Sequence, residues 1–175
     1  MESGGEYTYT VSLAAAKDLG YSIQNDGSYT VYNADGLMNI AELVNGGKTG
    51  INITLDKNID LTGKDWMPIG TSKSYYGTFD GGGHTITGLT VTTNDEHAGM
   101  FGWLGEAGTV KNVVMEGVQI TKNHSSGFAG GVAGFSMAPL KTARCRAASA
   151  ARCTSAGWWV LNGTVPSPDA VPRPQ

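Results

Sequence analysis

Three histidines, His84, His97 and His124, are the side chains of this 175-residue chain best able to move a proton near neutral pH or ligate a metal. A zinc site needs several ligands converging at about 2 Å. These three stand apart in Gly- and Asn-containing segments, with no His-Glu-x-x-His helix and no close pair, so the expectation is loop residues and no metal or cofactor. Carboxylates are the stronger candidates, namely Asp56, Asp60, Asp65, Asp80, Asp95 and Glu96. Two of them at the right separation can act as acid and base on a polysaccharide, with or without calcium. Asp80 lies in the Phe79-Asp80-Gly81 turn, where an Asp side chain ordinarily bonds nearby backbone N–H groups, and Asp95-Glu96 reads as a solvated loop. No residue is therefore assigned a catalytic role. Among the aromatics, Trp66 beside Pro68 reads as packing, whereas the loop pair Tyr75 and Tyr76 is the candidate ligand surface, able to stack on a sugar or fill a partner's pocket. Thr85, Thr87, Thr90 and Thr92 can form an outward ladder of the sort that orders water at ice, although Thr is also a good strand former.

The elements that must carry these residues are mostly short strands. Charged residues make up 15% of the chain and 26 residues are glycine, a composition suited to many strands joined by tight turns. Glu6 to Val11 predicts a strand, followed by an Ala-rich turn of helix ending at Gly20. Tyr21 to Gln24 and Tyr29 to Tyr32 flank Asn25-Asp26-Gly27-Ser28, a hairpin signal. Leu37, Ile40, Ala41 and Val44 fall at helical spacing, predicting one amphipathic helix near 35–45, capped by Asn33 or Asp35 and ended by Asn45-Gly46-Gly47. Ile51 to Leu55 then alternates as a half-buried strand, and further strands are expected around 59–61, 85–93 and 110–120.

Aligning Thr85-Ile86-Thr87-Gly88-Leu89-Thr90-Val91 with Thr109-Val110-Lys111-Asn112-Val113-Val114-Met115 brings out a repeat. Each block runs to a small-residue cluster, Ala98-Gly99-Met100-Phe101-Gly102 and then Gly130-Gly131-Val132-Ala133-Gly134. A Gly-punctuated, strand-rich spacing in the twenties is the mark of a solenoid. The fold expected is all-β: a short parallel β-helix with an N-terminal hairpin over 1–28, repeats over 29–135, and the helix as its cap. An irregular β-sandwich is the alternative. Ile53, Leu55, Ile86, Leu89, Val91, Val110, Val114, Val118 and Ile120 should point inward.

Trp66-Met67-Pro68-Ile69-Gly70, then Tyr76 to Ile86, then Gly99-Met100-Phe101-Gly102 and Gly131-Val132-Ala133-Gly134 together resemble the GLUG-motif repeats of bacterial surface proteins, over roughly Tyr29 to Phe135. The resemblance implies a right-handed parallel β-helix, secreted and displayed on the cell surface, non-enzymatic and adhesin-like or a spacer. Alternatively it implies a substrate-binding or otherwise non-catalytic part of a larger surface peptidase or polysaccharide-degrading enzyme. It names no ligand; a glycan or a host or cell-surface protein is the class of partner it suggests.

Net charge is −3 and the pI about 5.5, so no basic field exists to gather nucleic acid. No run of about eighteen apolar residues is present for membrane insertion, and the first residues carry no secretion signal. Over 136–175 the pattern gives way to an Ala/Arg/Ser stretch holding Cys145 and Cys153, then Trp158-Trp159 and a Pro-rich end, which reads as an irregular or disordered tail. Read one nucleotide upstream, Met137-Ala138 forces a Gly and Trp158-Trp159-Val160 forces Val-Gly, and the codons between permit another repeat. The expectation is a fragment whose tail is frameshifted, leaving an uncapped end prone to association.

Overall fold

The computed structural model describes residues 18–138, 140–141 and 144–147, with side chains described up to 138 and at 140. The strand expected over Glu6 to Val11, the Ala-rich turn, Cys153, Trp158-Trp159 and the Pro-rich end lie outside them. The described residues form a mostly β structure with one helix, in the order β1 (Tyr21–Ile23), β2 (Tyr29–Val31), α1 (Ala34–Asn45), β3 (Ile53–Leu55), β4 (Ile59–Asp60), β5 (Thr78–Asp80), β6 (Thr85–Thr87), β7 (Thr90–Thr93), β8 (His97–Ala98), β9 (Phe101–Leu104), β10 (Thr109–Lys111), β11 (Val114–Lys122), β12 (Phe128–Ala129), β13 (Ala133–Ser136), β14 (Leu140–Lys141) and β15 (Arg144–Ala147).

The hairpin forms as its turn chemistry dictates. β1 and β2 pair antiparallel, Gly27 takes φ 81°, and the Asp26 carboxylate accepts from Ser28 N–H at 2.9 Å. Asn33 is the residue that caps α1, its side-chain oxygen accepting from Gly36 N–H at 2.8 Å, while Leu37, Ile40, Ala41 and Val44 are buried. At the other end Gly47 takes the left-handed conformation, and Gly47 and Lys48 N–H donate to the Val44 and Leu43 carbonyls. Both ends of the helix are tied to the chain after β4. Asp35 bonds Lys64 at 2.8 Å, and Asn45 accepts from Gly70 N–H at 2.8 Å and donates to Pro68 O at 3.0 Å.

From β2 onward every described sheet pairing is parallel. One sheet runs β1-β2-β3-β5-β10-β14, and a second runs β15-β11-β6-β4, with β7 on the later half of β11. Two further pairs, β8 with β12 and β9 with β13, lie beside them. The chain therefore visits the same sheets in the same order on successive passes, and residues in register stack. Tyr29 pairs with Ile53, Ile53 with Phe79, Phe79 with Val110 and Val110 with Leu140, steps of 24, 26, 31 and 30 residues. The first four are buried and Leu140 packs against them, so one apolar column runs through the stack. Ile59, Ile86 and Met115 make a second. Each such side chain contributes about 1.5–3 kcal/mol by leaving water, and does so only with a neighbour above or below it.

The observed pairing and burial depart from expectation at four points. Thr85–Thr87 pairs with Val114–Glu116, whereas Thr109–Lys111 pairs with Thr78–Asp80, so the repeat aligned from sequence is one strand out of phase. Both strands following a Gly-rich turn show the same Thr-apolar-Thr/Lys pattern, and local alternation cannot say which is the partner. The small-residue clusters were aligned correctly from Phe101, which pairs with Ala133, but Ala98 pairs with Ala129, one residue off. Of the residues expected inside, seven are buried, whereas Val114 and Ile120 are half-buried and Val113 and Met115 take the interior. Asn112, at φ 53°, and Gly117, at φ 66°, reset the side-chain alternation on either side of Val114. Finally, β14 and β15 pair with β10 and β11, extending both sheets into a segment expected to be irregular. Backbone pairing asks no particular side chain of Arg144 to Ala147, so the loss of alternation did not forbid it.

Candidate functional site

The residues proposed for chemistry are held apart by the stack. His84 sits half-buried in the turn before β6, and His124 is exposed in the loop after β11, where its Nδ1 lies 3.2 Å from Ser126 N. Among the described residues no three His, Cys, Asp or Glu side chains gather as a metal site. Asp80 bonds Gly82 N–H at 2.9 Å, Asn112 at 3.1 Å and Lys111 at 3.0 Å. Its burial favours the neutral acid, but these three donors together outweigh it and hold the carboxyl below its usual range. It is a turn and cross-strand tie. Asp60 is in register with Thr87, and Thr87 with Glu116, so a threonine separates the two carboxylates along that column. Asp56, Asp65, Asp95 and Glu96 are exposed, with Asp95 bonded to Thr93 at 3.0 Å.

The threonine ladder is not built either. A ladder along the stack needs threonines at register positions on successive passes, and Thr85, Thr87 and Thr90 face Val114, Glu116 and Gln119; only Thr92 meets a threonine, Thr121.

Tyr75 must be corrected as a ligand residue. It is 0% exposed, stacks on Phe101 with ring centres 5.5 Å apart, and donates its hydroxyl to Ile51 O at 2.8 Å. Burial pushes its phenol far above the ordinary value, so it stays neutral. Tyr76 remains at the surface, 49% exposed, with its ring lying across Gly105, where any Cβ would strike it. Adjacent residues of an extended chain point to opposite faces, which separates the pair. Trp66 packs as expected, buried and donating from Nε1 to Met100 O at 3.1 Å.

What the sequence reading missed is an aromatic face on the strands after β7. His97 on β8 lies parallel to Phe128 on β12, interplanar angle 3° and centres 5.7 Å apart. It meets the Trp103 ring near-perpendicular, at 80° with centres 5.6 Å apart, and Phe135 at 5.2 Å, and Trp103 meets Phe135 at 5.3 Å. Two pairs across the strands, His97 with Phe128 and Trp103 with Phe135, are in direct register, so the cluster exists only because these two passes stack. Trp103 is 36% exposed, and the other three are half-buried. The signal in the sequence is an aromatic or His at 97, 103, 128 and 135, a common offset of 31 or 32 residues, which is visible only once the register is known. Such a surface can stack against the C–H faces of a sugar ring.

Comparison with known proteins is sparse. No family description matches the chain, and no solved structure matches it. An alignment 113 residues long, covering 57% of the chain, shows 33% identity to part of halomucin from Haloquadratum walsbyi. An alignment 93 residues long, covering 49% of the chain, shows 33% identity to part of a protein named as a Gly-rich membrane protein from Evansella cellulosilytica. The matched stretches amount to 1% and 11% of those two proteins, so the chain spans a small part of each. No described helix is long and apolar enough to cross a membrane.

Proposed function

We propose that the chain is part of a non-enzymatic, adhesin-like or spacer module displayed on the cell surface, built as a short right-handed parallel β-helix of GLUG-like repeats, with its aromatic face as the surface offered to a glycan. The parallel register between successive passes supports the solenoid reading. Similarity to part of a Gly-rich membrane protein is compatible with a surface location. The observation that carries the binding role is the half-exposed cluster of Trp103, Phe128, Phe135 and His97, since large rings left partly in water on rigid paired strands are a preorganised stacking platform. The low charge of the chain favours neutral sugars over polyanions.

The test is binding of the immobilised chain to a panel of neutral and acidic oligosaccharides, wild type against Trp103→Ala. At least one neutral glycan should bind, and the variant should bind it about tenfold more weakly, the loss expected of an anchoring aromatic. Failure to bind across the panel leaves the spacer role alone, and equal binding by the variant would take the glycan site off the aromatic face.

A further inference from the structure

The His97 cluster has a second property that sugar stacking does not use. Its rings come from two successive passes of the chain, β8 and β9 on one side and β12 and β13 on the other. His97 touches all three other members, so it is the one ionisable group at the centre of the contact. Its Nδ1 is buried and has no hydrogen-bond partner. A neutral imidazole tolerates this by placing its proton on Nε2. An imidazolium cannot, because both ring nitrogens then carry protons and the one at Nδ1 is buried with no acceptor.

We propose that the His97 cluster is an acid-sensitive latch: neutral His97 holds the β12 and β13 pass onto the β8 and β9 pass, and protonation opens that junction. The charged groups facing His97 are Glu96, whose carboxylate favours the cation, and Lys122, whose ammonium opposes it. β9, β12 and β13 carry no charged residue, and neither does β7. Desolvation is the largest influence and acts with Lys122, so the balance lies below the ordinary histidine value. Contact of a cation with the ring faces works the other way, but it does not supply the missing acceptor at Nδ1. The sign follows from linkage. The unfolded or opened chain binds the proton more readily, so the latch is at full strength above about pH 6.5 and weakens as pH falls from there to the lower value of the closed state.

Two measurements on the full chain test this. Imidazole resonances followed by NMR should show His97 titrating below the ordinary histidine value of about 6.5. Amide exchange, corrected for its intrinsic pH dependence, should rise at least about threefold over 97–104 and 128–136 between pH 7.5 and pH 5, with a smaller change over 53–61. In His97→Phe, which keeps the ring stack without the titrating group, that rise should vanish, and in His124→Gln it should persist. His97 titrating at or above the ordinary histidine value of about 6.5 overturns the latch, whether or not the Phe variant folds, and so does an exchange rise that survives in His97→Phe.

Discussion

Tyr75 and Tyr76 are neighbours of one residue type with opposite fates, and they show how little a side chain's identity says about its work. Tyr75 fills the interior beside Phe101 and gives its hydroxyl to the Ile51 carbonyl, while Tyr76 lies across Gly105 at the surface. Tyr75→Phe removes the donor and leaves that carbonyl without it, a cost of about 1–2 kcal/mol. Tyr76→Ala should stay within about 0.5 kcal/mol of wild type, because the ring is half in water. Urea denaturation of the two variants checks the contrast. A Tyr76→Ala loss as large as that of Tyr75→Phe would mean that the surface ring is structural.

At the level of elements, α1 shows a glycine whose usual rule is reversed. Gly36 lies in the first turn of the helix, where alanine ordinarily improves a helix by up to about 1 kcal/mol. Here a Cβ on Gly36 would run into the backbone of Gly20, and Gly20 itself, at φ 74°, would direct a Cβ into the Asn33 cap and Gly36. The two glycines let the chain entering β1 cross closely over the start of the helix. Gly36→Ala is therefore expected to destabilise by about 2 kcal/mol or more, seen as a fall in the urea midpoint. A stabilising Gly36→Ala would show that the crossing yields easily.

For the whole molecule, stability is shared between neighbouring passes, and the last described pass has a cost if removed. Leu140 packs against the core column headed by Tyr29, and β14 and β15 cover the backbone edges of β10 and β11. A chain ended at Met137 would leave both strands as open edges, which lowers stability and invites association. The expected outcome is a lower thermal midpoint and concentration-dependent light scattering relative to the full chain. Equal midpoints would mean that β14 and β15 add nothing and that β10 and β11 are self-sufficient edges.

Local structure was legible in the residues. Asp26-Gly27 encodes the hairpin because only a few residues accept its backbone angles, and the 3.6-residue spacing of Leu37, Ile40, Ala41 and Val44 encodes the helix face. The apolar alternation of Ile53 and Leu55 likewise identifies an inward pair without reference to any partner. Register was not legible, because Thr85–Thr87 and Thr109–Lys111 offer the same alternation to any neighbour, and the choice between them rests on turn geometry at Asn112 and on filling the interior. The burial of Tyr75, the failure of the threonine ladder and the meeting of His97 with Trp103, Phe128 and Phe135 all depend on that register. Side chains 31 or 32 residues apart in the chain become neighbours only when one pass is laid on the next, so the tertiary structure alone decided where the aromatic face would be.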